Sequence, residues 1–262
     1  MTPEAHAAFT ASLLTTLSAA PDVLGLVLLG SSSGLPPSPD AFSDHDFFVV
    51  TARGAQDHYR TTRAWLPDAD AIALALRETA HGVKVLYAGG HVAEFAVFDL
   101  DEISLARVNR YRVALDRGEV AARMARVHEV SATAAAAAPD LGWHMGELLT
   151  QLVVGVYRDA RGERLSGHRF VRVLALEHLL ALLQARLPRD IAARLDDLDV
   201  TRRFELVLPE LGQELEAALR APVPIAARRL LEIAVRELAD LVPPGAQAAV
   251  ERALASTMTS TR

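Results

Sequence analysis

Asp44 and Asp46 stand one residue apart at the head of the apolar run Phe47-Phe48-Val49-Val50. Bare carboxylates beside a buried strand are costly unless something neutralises them. Successive strand residues point to opposite faces, so both acids are expected on one side, about 7 Å apart along the strand. Two carboxylates so placed can bridge one or two hard cations. Mg²⁺ in particular is often held by one or two carboxylates and completed by substrate phosphates. In a two-metal arrangement the ions clamp the attacking and leaving oxygens of a displacement at phosphorus. A third carboxylate is then needed nearby, as metal ligand or general base. Glu94, inside the β-rich run "HVAEFAVF", is the leading candidate.

Upstream, "VLGLVLLG" ends at Gly30 and is followed by Ser31 and Ser32. Glycine lets a backbone come close to a phosphate, and a turn starting there offers N–H groups to anionic oxygens. The two hydroxyls add donors. A Walker-type phosphate loop is excluded, because Gly-Lys-Ser/Thr is missing and the only lysine is Lys84.

The elements that must position these residues follow from periodicity. Residues 4–19 read as a helix, 23–30 as a buried strand and 46–52 as a second strand. Residues 57–66 look helical and 71–76 strand-like. Gly89-Gly90 between two β-rich runs is a hairpin signal. Residues 110–118 resemble a last strand that ends in an Asp-Arg-Gly turn. The Ala-rich stretch 131–139 marks the expected domain boundary. Beyond it, 142–159, 165–186, 210–220 and 224–241 read as helices with prolines between them. The expected fold class is α+β: a mixed sheet with helices over residues 1–130, then an all-α helical bundle over 131–262.

Composition narrows the chemistry. There is no cysteine, which excludes disulfides, zinc-thiolate sites and a cysteine nucleophile. Net charge is −6, and residues 1–130 hold 16 acids against 11 bases, a balance of −5. No base precedes Arg53, so a nucleic-acid groove is disfavoured. No apolar run reaches 18 residues and no basic segment leads an apolar one. The expectation is a soluble, cytoplasmic protein with no membrane partner.

Gly30-Ser31, twelve intervening residues, Asp44-x-Asp46 and the apolar strand behind them resemble the signature of the polymerase-β-like nucleotidyltransferase superfamily. The two-part layout resembles the antibiotic nucleotidyltransferases that act on lincosamides and aminoglycosides. The resemblance covers roughly residues 20–120, and the rest only as architecture. It implies that Gly30, Ser31 and Ser32 hold a triphosphate, that Asp44 and Asp46 hold Mg²⁺, and that Glu94 completes the site. It further implies a nucleoside triphosphate donor, a small-molecule acceptor hydroxyl and, by analogy alone, a homodimer. His45 departs from the family, which usually has an aliphatic residue between the acids. Its side chain should face away from the carboxylates, to pack or hydrogen-bond.

Two other readings stand beside this one. One is a toxin–antitoxin-type enzyme that nucleotidylates protein or RNA, and the other is a catalytically degenerate binding module. Bland readings are preferred for several polar residues. Asp99, Asp101 and Glu102 read as a helix N-cap cluster, Arg77 and Lys84 as surface cations, and 161–168 as an exposed interhelical turn.

Overall fold

The computed structural model describes residues 1–36, 38–135, 139–196 and 198–259. The chain divides into two units, Met1–Ala136 and Ala137–Arg262.

The first unit runs α1 (Pro3–Ala19), β1 (Val23–Leu29), β2 (His45–Thr51), α2 (Gln56–Thr61), β3 (Ile72–Arg77), β4 (Gly82–Tyr87), β5 (Val92–Phe98), β6 (Tyr111–Asp116) and α3 (Val120–Ala135). Its six strands form one sheet in the order β3-β4-β5-β2-β1-β6. Only β2 and β5 pair in parallel; the other neighbours are antiparallel. The β4–β5 hairpin closes through Gly90, whose φ of +83° suits glycine.

Both faces of the central strands are covered, which is why β1 and residues 47–50 of β2 read as unbroken apolar runs. On one face Phe47, Val49 and Phe95 pack with Phe9, Leu13 and Leu17 of α1 and with Trp65. On the other Val27, Val50 and Phe98 pack with Val120, Met124 and Val127 of α3. A Cβ on Gly25 would lie 2.7 Å from Val120 Cγ2, so glycine there permits the approach of α3.

Two details differ from the sequence expectations. The helix expected to reach residue 66 stops at Thr61, because Thr62 turns extended and Trp65 folds into the core, its Nε1–H donating to the Thr62 carbonyl at 3.1 Å. The helix α3, which periodicity did not pick out, carries residues 131–135 of the Ala-rich stretch. Asp116 starts it by accepting from the N–H groups of Val120 and Ala121, both at 3.0 Å, and alanine favours the helix. The remainder of that stretch, 136–138, lies outside the described residues.

Among its described residues the second unit holds helices and no strand: α4 (Leu141–Ala160), α5 (Arg164–Arg169), a π-helical turn (Phe170–Ala175), α6 (Leu176–Arg186), α7 (Arg189–Ala192), α8 (Phe204–Val207), α9 (Pro209–Arg220), α10 (Val223–Glu237) and α11 (Ala246–Thr259). Leu148, Leu152, Leu179, Leu182, Leu230 and Ile233 are fully enclosed in its core. The α+β class with an all-helical second half is as the pattern predicts. No helix among the described residues is long and apolar enough to cross a membrane.

Candidate functional site

The Gly-Ser segment leaves β1 as a single 3₁₀ turn, Gly30–Ser33. Gly30 has a φ of +50°, and its N–H donates to the Arg110 carbonyl at 3.1 Å, so that donor is used within the fold rather than offered outward. The Ser33 hydroxyl donates to the Gly30 carbonyl at 2.7 Å and closes the turn. Arg112 on β6 and Arg110 just before it staple the loop that follows. Arg112 Nε donates to the Ser33 carbonyl at 2.8 Å, and Arg110 Nη1 to the Pro36 carbonyl at 2.6 Å. A cavity of about 300 Å³ opens beside the turn, with Ser31, Ser32, His6, Thr10 and Arg112 in its polar lining.

The carboxylates gather through sheet register. Asp46 on β2 pairs with Glu94 on β5, and Glu94 pairs in turn with Lys84 on β4. Residues directly opposite in neighbouring strands share a face, so Lys84, Glu94 and Asp46 form a row across three strands. A Cβ on Gly30 would stand 3.6 Å from Asp46 Oδ2, so the Gly-Ser turn and this carboxylate face each other. Glu94 is also ion-paired. Lys84 Nζ lies 3.2 Å from Glu94 Oε1 and 2.9 Å from Glu78 Oε1. Glu78 first, then Glu94, raise the ammonium above its ordinary pKa. Lys84 is therefore the partner of the third carboxylate, not an isolated surface cation.

Asp44 sits just before β2, so strand alternation does not govern it as the sequence reading supposed. Both aspartates are half-buried. Among the described residues no three His, Cys, Asp or Glu side chains converge to hold a metal on their own. Two half-buried oxygen donors, with a glycine turn closing on one of them, suit an Mg²⁺ ion that draws its other ligands from phosphates and water. They do not suit an ion caged by protein alone.

His45 faces away from this row, as expected, and its environment is specific. It is fully buried, stacks on His6 with ring centroids 3.6 Å apart, and touches Phe9 and His91. Burial first, then the His6 and His91 rings, push its pKa down to about 3, so it is neutral at ordinary pH. His91 is lowered by burial and by His6, with Asp44 pulling the other way.

The remaining candidates take the bland readings. Asp99 Oδ1 accepts from the N–H groups of Asp101 and Glu102, both at 2.8 Å, and caps the short turn that follows. The Glu102 N–H is the main cause of a lowered Asp99 pKa. Arg77 donates to the carbonyls of Thr79 and Ala80. The expected turn over 161–168 is confined to 161–163, because 164–168 belong to α5; Arg161 and Arg164 are exposed, and Glu163 pairs with Arg158 at 2.6 Å.

Sequence reasoning missed His6, His91, Arg110 and Arg112. For His6 a signal existed: positions 6, 9, 13 and 17 form the buried stripe of α1, and a histidine in such a stripe needs a polar partner. Arg110 and Arg112 left no local sign, because nothing nearby in sequence links them to the Gly-Ser turn.

No family model matches this sequence, and no curated protein matches it. Among solved structures the chain is similar to an aminoglycoside 6-adenyltransferase from Bacillus subtilis. The two share 11% identity and a TM-score of 0.39, over 95% of this chain and 97% of that one. It is also similar to a nucleotidyltransferase-like protein from Exiguobacterium sibiricum 255-15. There the identity is 14% and the TM-score 0.34, over 96% of this chain and 75% of that one.

Proposed function

We propose that this chain is an Mg²⁺-dependent nucleotidyltransferase. It would move a nucleoside monophosphate from a nucleoside triphosphate to a hydroxyl of a small molecule, with an antibiotic as one candidate acceptor. The observation that carries the reading is the register that sets Asp46 beside Glu94 on one sheet face, with the Gly30 turn against Asp46. Asp44 and Asp46 would hold Mg²⁺, which supplies charge neutralisation and in-line alignment of the phosphates.

The chain's own groups do the rest. Ser31 and Ser32 orient the triphosphate from the turn. Lys84 engages Oε1 of Glu94 and so presents Oε2 to the acceptor. The acceptor oxygen bonds to the α-phosphorus as the bond to pyrophosphate breaks. Its proton passes to Glu94, and the bonding electron pair leaves with pyrophosphate. Positioning and charge stabilisation supply most of the rate.

The test is calorimetric titration of ATP, GTP, CTP and UTP, with and without Mg²⁺, on wild type and on Asp44→Asn/Asp46→Asn. One triphosphate should bind only with Mg²⁺, and the double variant should lose that binding. Metal-independent binding, or binding the variant keeps, would refute the assigned metal ligands.

One observation favours a second reading, a binding module without turnover: Lys84 already neutralises Glu94, and among the described residues no three His, Asp or Glu side chains converge to hold a metal. Lys84→Met separates the two. If Lys84 presents Glu94, pyrophosphate release in an acceptor screen falls about tenfold. A rise would mean that Lys84 blocks the carboxylate.

A further inference from the structure

We infer that His6 positions both halves of the candidate site: its Nε2–H holds the Asp44 carbonyl and leaves the Ser32 hydroxyl proton to a phosphate oxygen in the cavity beside the Gly-Ser turn. His6 acts through these groups and touches no reacting atom, so it is a positioning residue. The inference rests on the nucleotidyltransferase reading for the identity of the phosphate, and not for the proton positions.

Those positions follow from groups that can only accept. His6 Nε2 lies 3.1 Å from the Asp44 carbonyl oxygen. A carbonyl has no proton to give, so Nε2 carries one and donates it. The Ser32 hydroxyl stands 3.4 Å from the same nitrogen. It can only share the proton already there, so its own hydrogen must point elsewhere. Ser32 is buried and lines the cavity together with Ser31 and Arg112. Two hydroxyls and a guanidinium in one lining suit a phosphoryl group.

The same logic fixes what holds His6. His45 Nε2 lies 3.2 Å from the His6 carbonyl and 3.0 Å from the Thr10 hydroxyl, which itself donates to that carbonyl at 3.1 Å. His45 therefore carries its proton on Nε2. Its Nδ1 in turn lies 2.9 Å from His91 Nε2. With the His6 and His45 rings stacked at 16°, one orientation runs from the β4–β5 hairpin through β2 to α1. From there it returns to Asp44 and Ser32. A histidine 38 residues before Asp44 in sequence thus joins the turn to the metal-binding segment.

The experiment uses the whole chain as wild type, His6→Leu, His6→Gln, Ser32→Ala and the His6→Leu/Ser32→Ala double variant. Each is titrated with Mg²⁺ and the triphosphate that wild type binds best. His6→Leu should weaken binding about tenfold, the worth of one well-placed hydrogen bond, and His6→Gln, whose amide restores a donor, should recover it to within about threefold. The double variant should bind no more weakly than Ser32→Ala alone. A purely structural role would lower the melting temperature of both His6 variants with no rescue by Gln, and losses that add in the double variant would also overturn the inference. Imidazole ¹⁵N shifts of the nucleotide-free protein decide the proton positions separately, and an unprotonated His6 Nε2 would refute them. If wild type binds no triphosphate, the transferase reading falls, and inorganic pyrophosphate becomes the probe. Pyrophosphate binding weakened by His6→Leu would keep the anion site, and no binding would end it.

Discussion

Among the described residues the first unit buries nine polar or charged side chains, namely His6, Ser32, Ser33, His45, Thr51, Gln56, Arg60, Asp99 and Ser131, whereas the helical unit buries two, Asp196 and Thr257. A buried polar group lowers stability unless it is fully partnered. The first unit partners its set through several local hydrogen-bond networks. Arg60 donates to the Val97 carbonyl and to Glu102, Gln56 to Asp99, and His6 and His45 to backbone carbonyls, with His91 paired to His45. The helical unit needs little of this, because its core is leucine, valine and alanine packed between helices. The difference shows where orientation matters. An apolar contact tolerates small rotations, and a hydrogen bond does not, so directional side chains concentrate where a site must be held.

Three changes would sharpen or break this comparison. The largest effect is expected from Leu152→Ala in the helical core, where a fully enclosed side chain leaves a cavity at roughly 3 kcal/mol. Chemical denaturation measures that cost, and triphosphate affinity should stay at the wild-type value. Loss of affinity would mean that the helical unit does more than pack.

Next comes Arg60→Met, which takes the guanidinium from Glu102 and the Val97 carbonyl and should cost about 2 kcal/mol. Each unit contains one tryptophan, Trp65 in the first and Trp143 in the second. Single-tryptophan variants can therefore report unit by unit, and only the Trp65 signal should shift.

The smallest effect is in acid. Asp116 is held below its ordinary 3.8, first by the Ala121 N–H, and Glu214 below its ordinary 4.5, first by Arg236. Both folded values are depressed, so each contribution is present above the unfolded pKa and is lost as pH falls through the lower folded value. Salt screens an exposed ion pair far more than a capping hydrogen bond. Added salt should therefore reduce the acid sensitivity removed by Glu214→Gln more than that removed by Asp116→Asn. Equal salt dependence in denaturation curves would contradict the assigned causes.

Much of the fold was legible because local pattern and burial agree. Residues 47–50 of β2 are all apolar because both faces are covered, and the stripe at Phe9, Leu13 and Leu17 announces α1. The helix α3 escaped notice because an alanine-rich stretch looks the same as linker or helix until Asp116 caps it. At the site, the candidate residues and the turn of His45 away from the carboxylates could be read from spacing. The lysine bound to Glu94 could not be assigned, since cross-strand pairing depends on register, and register is settled by the whole sheet.

Sequence alone determined the strand that bears Asp46, the glycine turn ahead of it and the helical character of the second half. Each follows from side-chain periodicity or from a backbone angle that few residues accept. Tertiary structure alone decided that Glu94 stands beside Asp46, that Lys84 holds Glu94, and that His6 reaches Asp44 and Ser32. Those contacts join residues far apart in sequence, and hydrogen bonds and ion pairs act only over a few ångströms, so no local pattern encodes them.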